Sequence, residues 1–146
     1  MVEMDRFKHK RLMCLDIGKK RIGIAVCDIL HITTTPLTTI EVHSGYIQKI
    51  IQIIEKENPA AIIVGMPEAS KGQVNSIVEF ITECIVELQK YTIPEIIFHD
   101  ESFSSKDAVS HMVHSGISKK KRAIKGRIDQ TAAAIILRSF LDEYGL

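Results

Sequence analysis

The sequence predicts a mixed α/β fold: a five-stranded sheet in the order β-β-β-α-β-α-β-α-α, with helices on both faces. Three observations predict it. Residues 11–40 read as extended segments separated by short turns. The apolar period then becomes helical, with Ile47, Ile50, Ile51 and Ile54 at i, i+3, i+4 and i+7. Beyond that, short continuous apolar runs alternate with helical stretches, as in strands joined by right-handed crossovers.

Each element has its own justification. Arg11 to Ile17 and Arg21 to Cys27 read as strands joined by a hairpin-type turn across Gly18 to Lys20. His31 to Ile40, "HITTTPLTTI", is rich in β-branched residues, and Pro36 suits an edge strand better than a central one. These three form an antiparallel meander. The helix carrying Ile47 to Ile54 stops before Pro59. "AAIIVG", Ala60 to Gly65, is a short apolar run of the kind covered on both faces. After "MPEASKGQVN" a second helix carries Ile77, Ile81, Cys84, Ile85 and Leu88. Pro94 resets the chain, and "EIIFHD", Glu95 to Asp100, reads as another buried strand. Ser104 and Asp107 make a capping box for a helix ending near Gly116. A basic loop follows, and a last helix runs from about Ile128 to Tyr144. The first strand is expected at the centre, between its hairpin partner and the parallel Ala60–Gly65 strand. That arrangement is the ribonuclease-H-like architecture, read here as a single domain over residues 1–146.

At 146 residues, 45% hydrophobic and 25% charged, the composition is that of a soluble globular protein. No apolar run approaches the roughly 18 residues of a membrane span, and Met1 to Lys10 is polar and charged, so neither a membrane anchor nor a secretory signal is expected. Cys14, Cys27 and Cys84 all fall in apolar segments, which favours reduced, buried thiols and a cytoplasmic location. Charge is uneven. Ile117 to Ile128, "ISKKKRAIKGRI", holds six cations and no acid, leaving 13 cations against 18 acids in the rest of the chain. A second basic group, Lys8, Lys10, Arg11, Lys19, Lys20 and Arg21, lies around the first strand. An acidic body with two basic clusters suits a localised polyanion contact.

Acids stand in three awkward places. Asp16 ends the first strand, Asp100 and Glu101 end the last one, and Asp129 begins the final helix. On that helix Asp129 shares a stripe with Ala132, Ala133, Ile136, Leu137 and Phe140. An unpaired carboxylate facing a core is costly, and several converging acids repel one another. Mg²⁺ or Mn²⁺ resolves both problems, being hard cations that prefer oxygen ligands. A pair of such ions supports phosphodiester hydrolysis. Taken singly, Asp16 fits a turn acceptor, Asp129 a helix N-cap and Glu101 a solvated strand end. Strand alternation places only one of Asp100 and Glu101 on the active face, and the pattern alone does not choose.

In order and spacing, "DIGKKRIGIAVCD", "PLTTI", "IIVGMPEASKG", "DESFSS" and "KGRIDQTAAAIIL" resemble the motifs of the YqgF family. These are bacterial ribonuclease-H-like proteins described as pre-16S ribosomal RNA nucleases and as Holliday junction resolvases. The resemblance covers about Leu12 to Leu141. It implies a carboxylate triad of Asp16, Glu101 and Asp129, choosing Glu101 over Asp100. It also implies that Lys20, Arg21, Ser104 and Lys125 hold substrate. One departure stands out: Ser102 occupies the position where the family usually has arginine, which removes a guanidinium from phosphate positioning.

The expected function is therefore a metal-dependent endonuclease using Mg²⁺ or Mn²⁺ on structured nucleic acid. Precursor 16S ribosomal RNA, cut near its 5′ end, is the favoured substrate, and branched DNA is the alternative. A monomer or weak dimer is expected. A resolvase calls for a two-fold dimer with two equivalent sites. A cleavage-deficient RNA-binding protein is the non-enzymatic alternative, motivated by Ser102. An ATP-binding module with a phosphate hairpin is disfavoured, because such proteins close two domains around the nucleotide. His111 and His114, at i, i+3, lack partners at zinc-ligand spacing and read as surface residues.

Overall fold

The computed structural model describes the backbone of residues 2–67, 74–100 and 121–146 and the side chains of residues 4–67, 76–100 and 131–146. A 3-10 segment, Val2–Phe7, precedes β1 (Leu12–Ile17), β2 (Arg21–Cys27) and β3 (Thr34–Glu41). Then follow α1 (Tyr46–Glu57), β4 (Ala61–Met66), α2 (Val74–Leu88), β5 (Glu95–Asp100) and α3 (Lys121–Glu143). The helix expected after Ser104 lies outside the described residues. The strand order is β3-β2-β1-β4-β5. β1 pairs antiparallel with β2 and parallel with β4, so it is central, as its unbroken apolar run requires. β3 takes the edge beside β2, where Pro36 is tolerated, with a register shift next to it between Ile24 and Ala25.

Alternation along the strands sends side chains to two different layers. Met13, Leu15, Ile17, Ile22, Ile24, Val26, Ile62 and Val64 form one core with Ile47, Ile50 and Ile54 of α1 and Ile81, Cys84, Ile85 and Leu88 of α2. Leu12, Cys14, Ala25, Cys27, Ala61 and Ile63 form the other with Ala133, Ala134, Ile136, Leu137, Phe140 and Leu141 of α3. The N-terminal 3-10 segment adds Phe7 to this second core, a burial that its polar neighbours had hidden in the sequence.

Local chemistry ends the elements where expected. α1 stops because Asn58 adopts the left-handed conformation (φ 49°), its N–H donating to the Ile54 carbonyl, and Pro59 follows. In the β1–β2 turn the Gly18 N–H donates to the Arg21 carbonyl at 2.9 Å. A Cβ on Gly18 would also sit 2.9 Å from that oxygen, so the turn excludes any larger residue. All three cysteines are buried, and none is in a disulfide. Burial pushes the Cys84 thiol up to about 11 and the Cys27 thiol upward as well, so both stay protonated at neutral pH.

α3 requires a correction. The basic stretch was expected as a loop and the helix from about Ile128, yet the helix begins at Lys121. Lysine, arginine and alanine are all good helix formers, and the single Gly126 does not outweigh them.

Candidate active site

Asp16 sits at the carboxyl end of the central strand, half-buried. Cys14, two residues earlier, packs in the α3 core, while Leu15 and Ile17 pack in the α1–α2 core. Asp16 is therefore on the α3 face. Its cross-strand partner on β2 is Gly23. Continuing the parallel Leu15–Val64 register by one residue puts Gly65 of β4 on its other side. Both glycines are buried. The carboxylate thus stands between two strands that contribute no side chain beside it, leaving bare sheet on which another group can come close.

Two residues before Gly23, Arg21 lies on the same face, one row nearer the turn, half-buried and opposite Glu41 of β3. This position is diagonal to Asp16, within reach of a long side chain. Lys20 is exposed on the turn, where its carbonyl accepts from the Val42 N–H at 2.9 Å. Lys19 is engaged structurally, since its Nζ donates to Ser76 Oγ at 2.7 Å and ties the hairpin to the first turn of α2.

Strand alternation also separates Asp100 from Asp16. Ile97 packs in the α3 core and His99 bonds to Ser139 and Glu143 of α3, whereas Ile96 packs in the α1–α2 core. Asp100 therefore falls on the face opposite Asp16. Glu101, Ser102 and Ser104, and with them His111 and His114, lie outside the described residues. Asp129 is the ninth residue of α3 rather than its beginning, which removes the N-cap explanation for an acid there. It stands one turn before Ala132 and Ala133, both fully buried, and four residues after Lys125. Among the described residues no group of three or more His, Cys, Asp or Glu could hold a metal. Sequence reading had passed over Gly23 and His99. The alternation of Ile97 and His99 in "EIIFHD" was the available signal for the latter.

A mixed sheet of order β3-β2-β1-β4-β5, with an acid at the end of its central strand, is the ribonuclease-H-like fold, a class that includes nucleases. The chain belongs to the RuvX family of Holliday junction resolvases, whose model matches residues 10–143. A protein of Chlorobaculum tepidum named "Putative pre-16S rRNA nuclease" is 34% identical over 143 residues, covering 97% of this chain and 99% of its own. A protein of Amoebophilus asiaticus with the same name is 38% identical, covering 92% and 95%. Among solved structures, T. thermophilus RuvC in complex with a Holliday junction substrate superposes with a TM-score of 0.56 at 15% identity, covering 94% of this chain and 97% of that one. The Fowlpox virus resolvase in complex with Holliday junction DNA gives 0.58 at 13% identity, covering 92% and 98%. At such identities the two structures speak to the fold. Among the described residues no helix is long and apolar enough to cross a membrane.

Proposed function

We propose that the protein is a metal-dependent endonuclease of the cytoplasm that trims precursor 16S ribosomal RNA near its 5′ end, acting as a single domain and as a monomer or weak dimer. The observation that carries this reading is Asp16, half-buried on the α3 face and flanked by Gly23. A half-buried carboxylate favours a cationic companion, and a hard oxygen donor suits Mg²⁺ or Mn²⁺. Glu101 and Asp129 are the proposed co-ligands. The exclusion of Asp100 by strand alternation favours Glu101, and the interior helical position of Asp129 favours a functional reason for that acid. When bound, the divalent ions supply an activated water and stabilise the leaving oxygen.

The remaining work falls to this chain's own residues. Lys20, Arg21, Ser104 and Lys125 are proposed to hold the substrate backbone, positioning phosphates without reading sequence. Lys121, Arg122 and Lys125 occupy the first turns of α3, where the helix N-terminus also favours anions. The names of the relatives at 34% and 38% identity support ribosomal RNA as substrate, and the family description supports a four-way DNA junction as the second reading.

One experiment separates them. Purified protein and its Asp16→Asn variant are offered precursor 16S RNA and a four-way DNA junction, each with Mn²⁺ or Mg²⁺. Cutting of the RNA by the parent, abolished in the variant with RNA binding retained, is the expected result. Symmetric cutting of the junction alone would replace the proposal with a resolvase. RNA binding without cutting by the parent would leave a binding protein, with Ser102 as the first residue to restore to arginine.

A further inference from the structure

We infer that His99 is a positioning residue for the active site, clamping the strand that leads to Glu101 onto the helix that bears Asp129; this rests on the nuclease reading above. His99 is 8% exposed, one of the few buried polar side chains described. Its Nδ1 lies 3.2 Å from Glu143 Oε2 and its Nε2 lies 3.1 Å from Ser139 Oγ. A carboxylate can only accept, so Nδ1 donates, and the other ring nitrogen is left for the serine hydroxyl. The ring also meets Phe140 edge-on, with centroids 5.6 Å apart. Three contacts within a turn and a half of one helix therefore fix a single imidazole.

The need for such a clamp follows from the layout. α3 lies over β1, β2 and β3, with β4 at its margin, so β5 is away from the helix's main footprint. Asp16 is fixed by the centre of the sheet, and Asp129 belongs to the helix whose later residues, Ala133 to Leu141, pack on that face. Glu101 follows directly on β5, which among the described strands pairs with β4 alone. His99, two residues before Glu101, reaches back to α3 and sets the strand's end relative to the helix. Groups that orient metal ligands typically change metal affinity 10–100-fold when removed.

The order serine, imidazole, carboxylate also invites a hydrolytic reading, which the surroundings exclude. Ser139 lies inside α3 near its C-terminal end, where backbone N–H groups are engaged in the helical ladder. The neighbouring Arg138 guanidinium is held by the His31 and Ile32 carbonyls and by Asp142. Neither supplies donors for an oxyanion.

The test is calorimetric titration of Mn²⁺ into the full chain without substrate, beside thermal melting. His99→Phe keeps a ring against Phe140 and removes both hydrogen bonds. Glu143→Gln and Ser139→Ala alter exposed partners and keep the test alive should His99→Phe fail to fold. We expect His99→Phe to weaken Mn²⁺ binding about tenfold. Glu143→Gln should weaken it in the same direction, with a melting temperature close to the parent's. The double variant should bind no more weakly than His99→Phe alone. Unchanged Mn²⁺ affinity in folded His99→Phe and in Glu143→Gln, with binding lost in Asp16→Asn, would overturn the inference and leave the nuclease reading standing. Parental Mn²⁺ binding by Asp16→Asn would remove the nuclease site itself, and the inference with it.

Discussion

The two faces of the sheet are built from different residues. Toward α1 and α2 the sheet presents isoleucine, leucine, valine and methionine, met by more isoleucines from the helices. Toward α3 it presents Cys14, Asp16, Gly23, Ala25, Cys27 and Ala61, met by Ala132, Ala133 and Ala134 before the larger Ile136 and Leu137. Large branched residues fill space and bury area, so the first face supplies stability at roughly 25 cal/mol per Å² of apolar surface. Small residues bury less but let a helix backbone come near a strand. The second face gives up area for a close approach, on the side of the sheet where Asp16 lies and where Asp129 is proposed to join it.

That contrast can be broken from either side. The largest effect on stability is expected from Ile50→Ala, a fully buried side chain of α1: about 2–5 kcal/mol lost in denaturant unfolding, with cleavage per folded molecule unchanged. Ala133→Leu on the other face should cost less, about 1–3 kcal/mol by overpacking. Its cleavage rate should nevertheless fall by about ten- to a hundred-fold, since displaced catalytic groups are penalised steeply. Single-turnover kinetics beside unfolding curves would show the inversion; equal activity in the two variants would erase the functional distinction between the faces.

A smaller effect is expected at Asp28, away from both cores. Its Oδ1 accepts from the Ile32 and Thr33 N–H groups at 2.8 and 3.1 Å, closing the β2–β3 connection. The Thr33 hydrogen bond foremost, with that of Ile32, holds the carboxyl below the usual aspartate range. A lowered folded-state pKa means stability that is present above the unfolded value and is lost as pH falls through the folded one. Protection of the Ile32 and Thr33 amides, measured against their intrinsic exchange rates, should therefore fall on acidification below the ordinary aspartate range. Asp28→Asn should flatten that dependence while leaving cleavage intact.

Much of this was legible because strands and helices announce themselves by period. β2 and β5 match their expected bounds, β1 differs by one residue at its start and β4 by one residue at each end. Pro36 correctly marked the edge. The expected two alanines on the last helix do pack fully buried. What failed had physical reasons. The basic stretch was read for its charge, although lysine and arginine are themselves good helix formers, and the helix runs from Lys121. Phe7 was masked by charged neighbours. His99 was hidden because a lone histidine in a strand carries no period, and its partners lie some 40 residues on in α3. Asp16 was visible because a carboxylate ending an apolar run contradicts its surroundings, whereas the bareness of Gly23 beside it emerges only from strand register.

The central place of β1 also has a consequence in time. Its antiparallel partner follows within a short turn, whereas its parallel partner, β4, arrives only after β3 and α1. Hairpins close in microseconds, yet an isolated one is marginal in water, and parallel pairing across such a separation is slow. Asp16 is thus made early but immobilised late, once β4 has docked and α3 has settled on the far face. A chain that is still folding carries the acid without its surroundings, so catalytic competence is reached among the last events of folding.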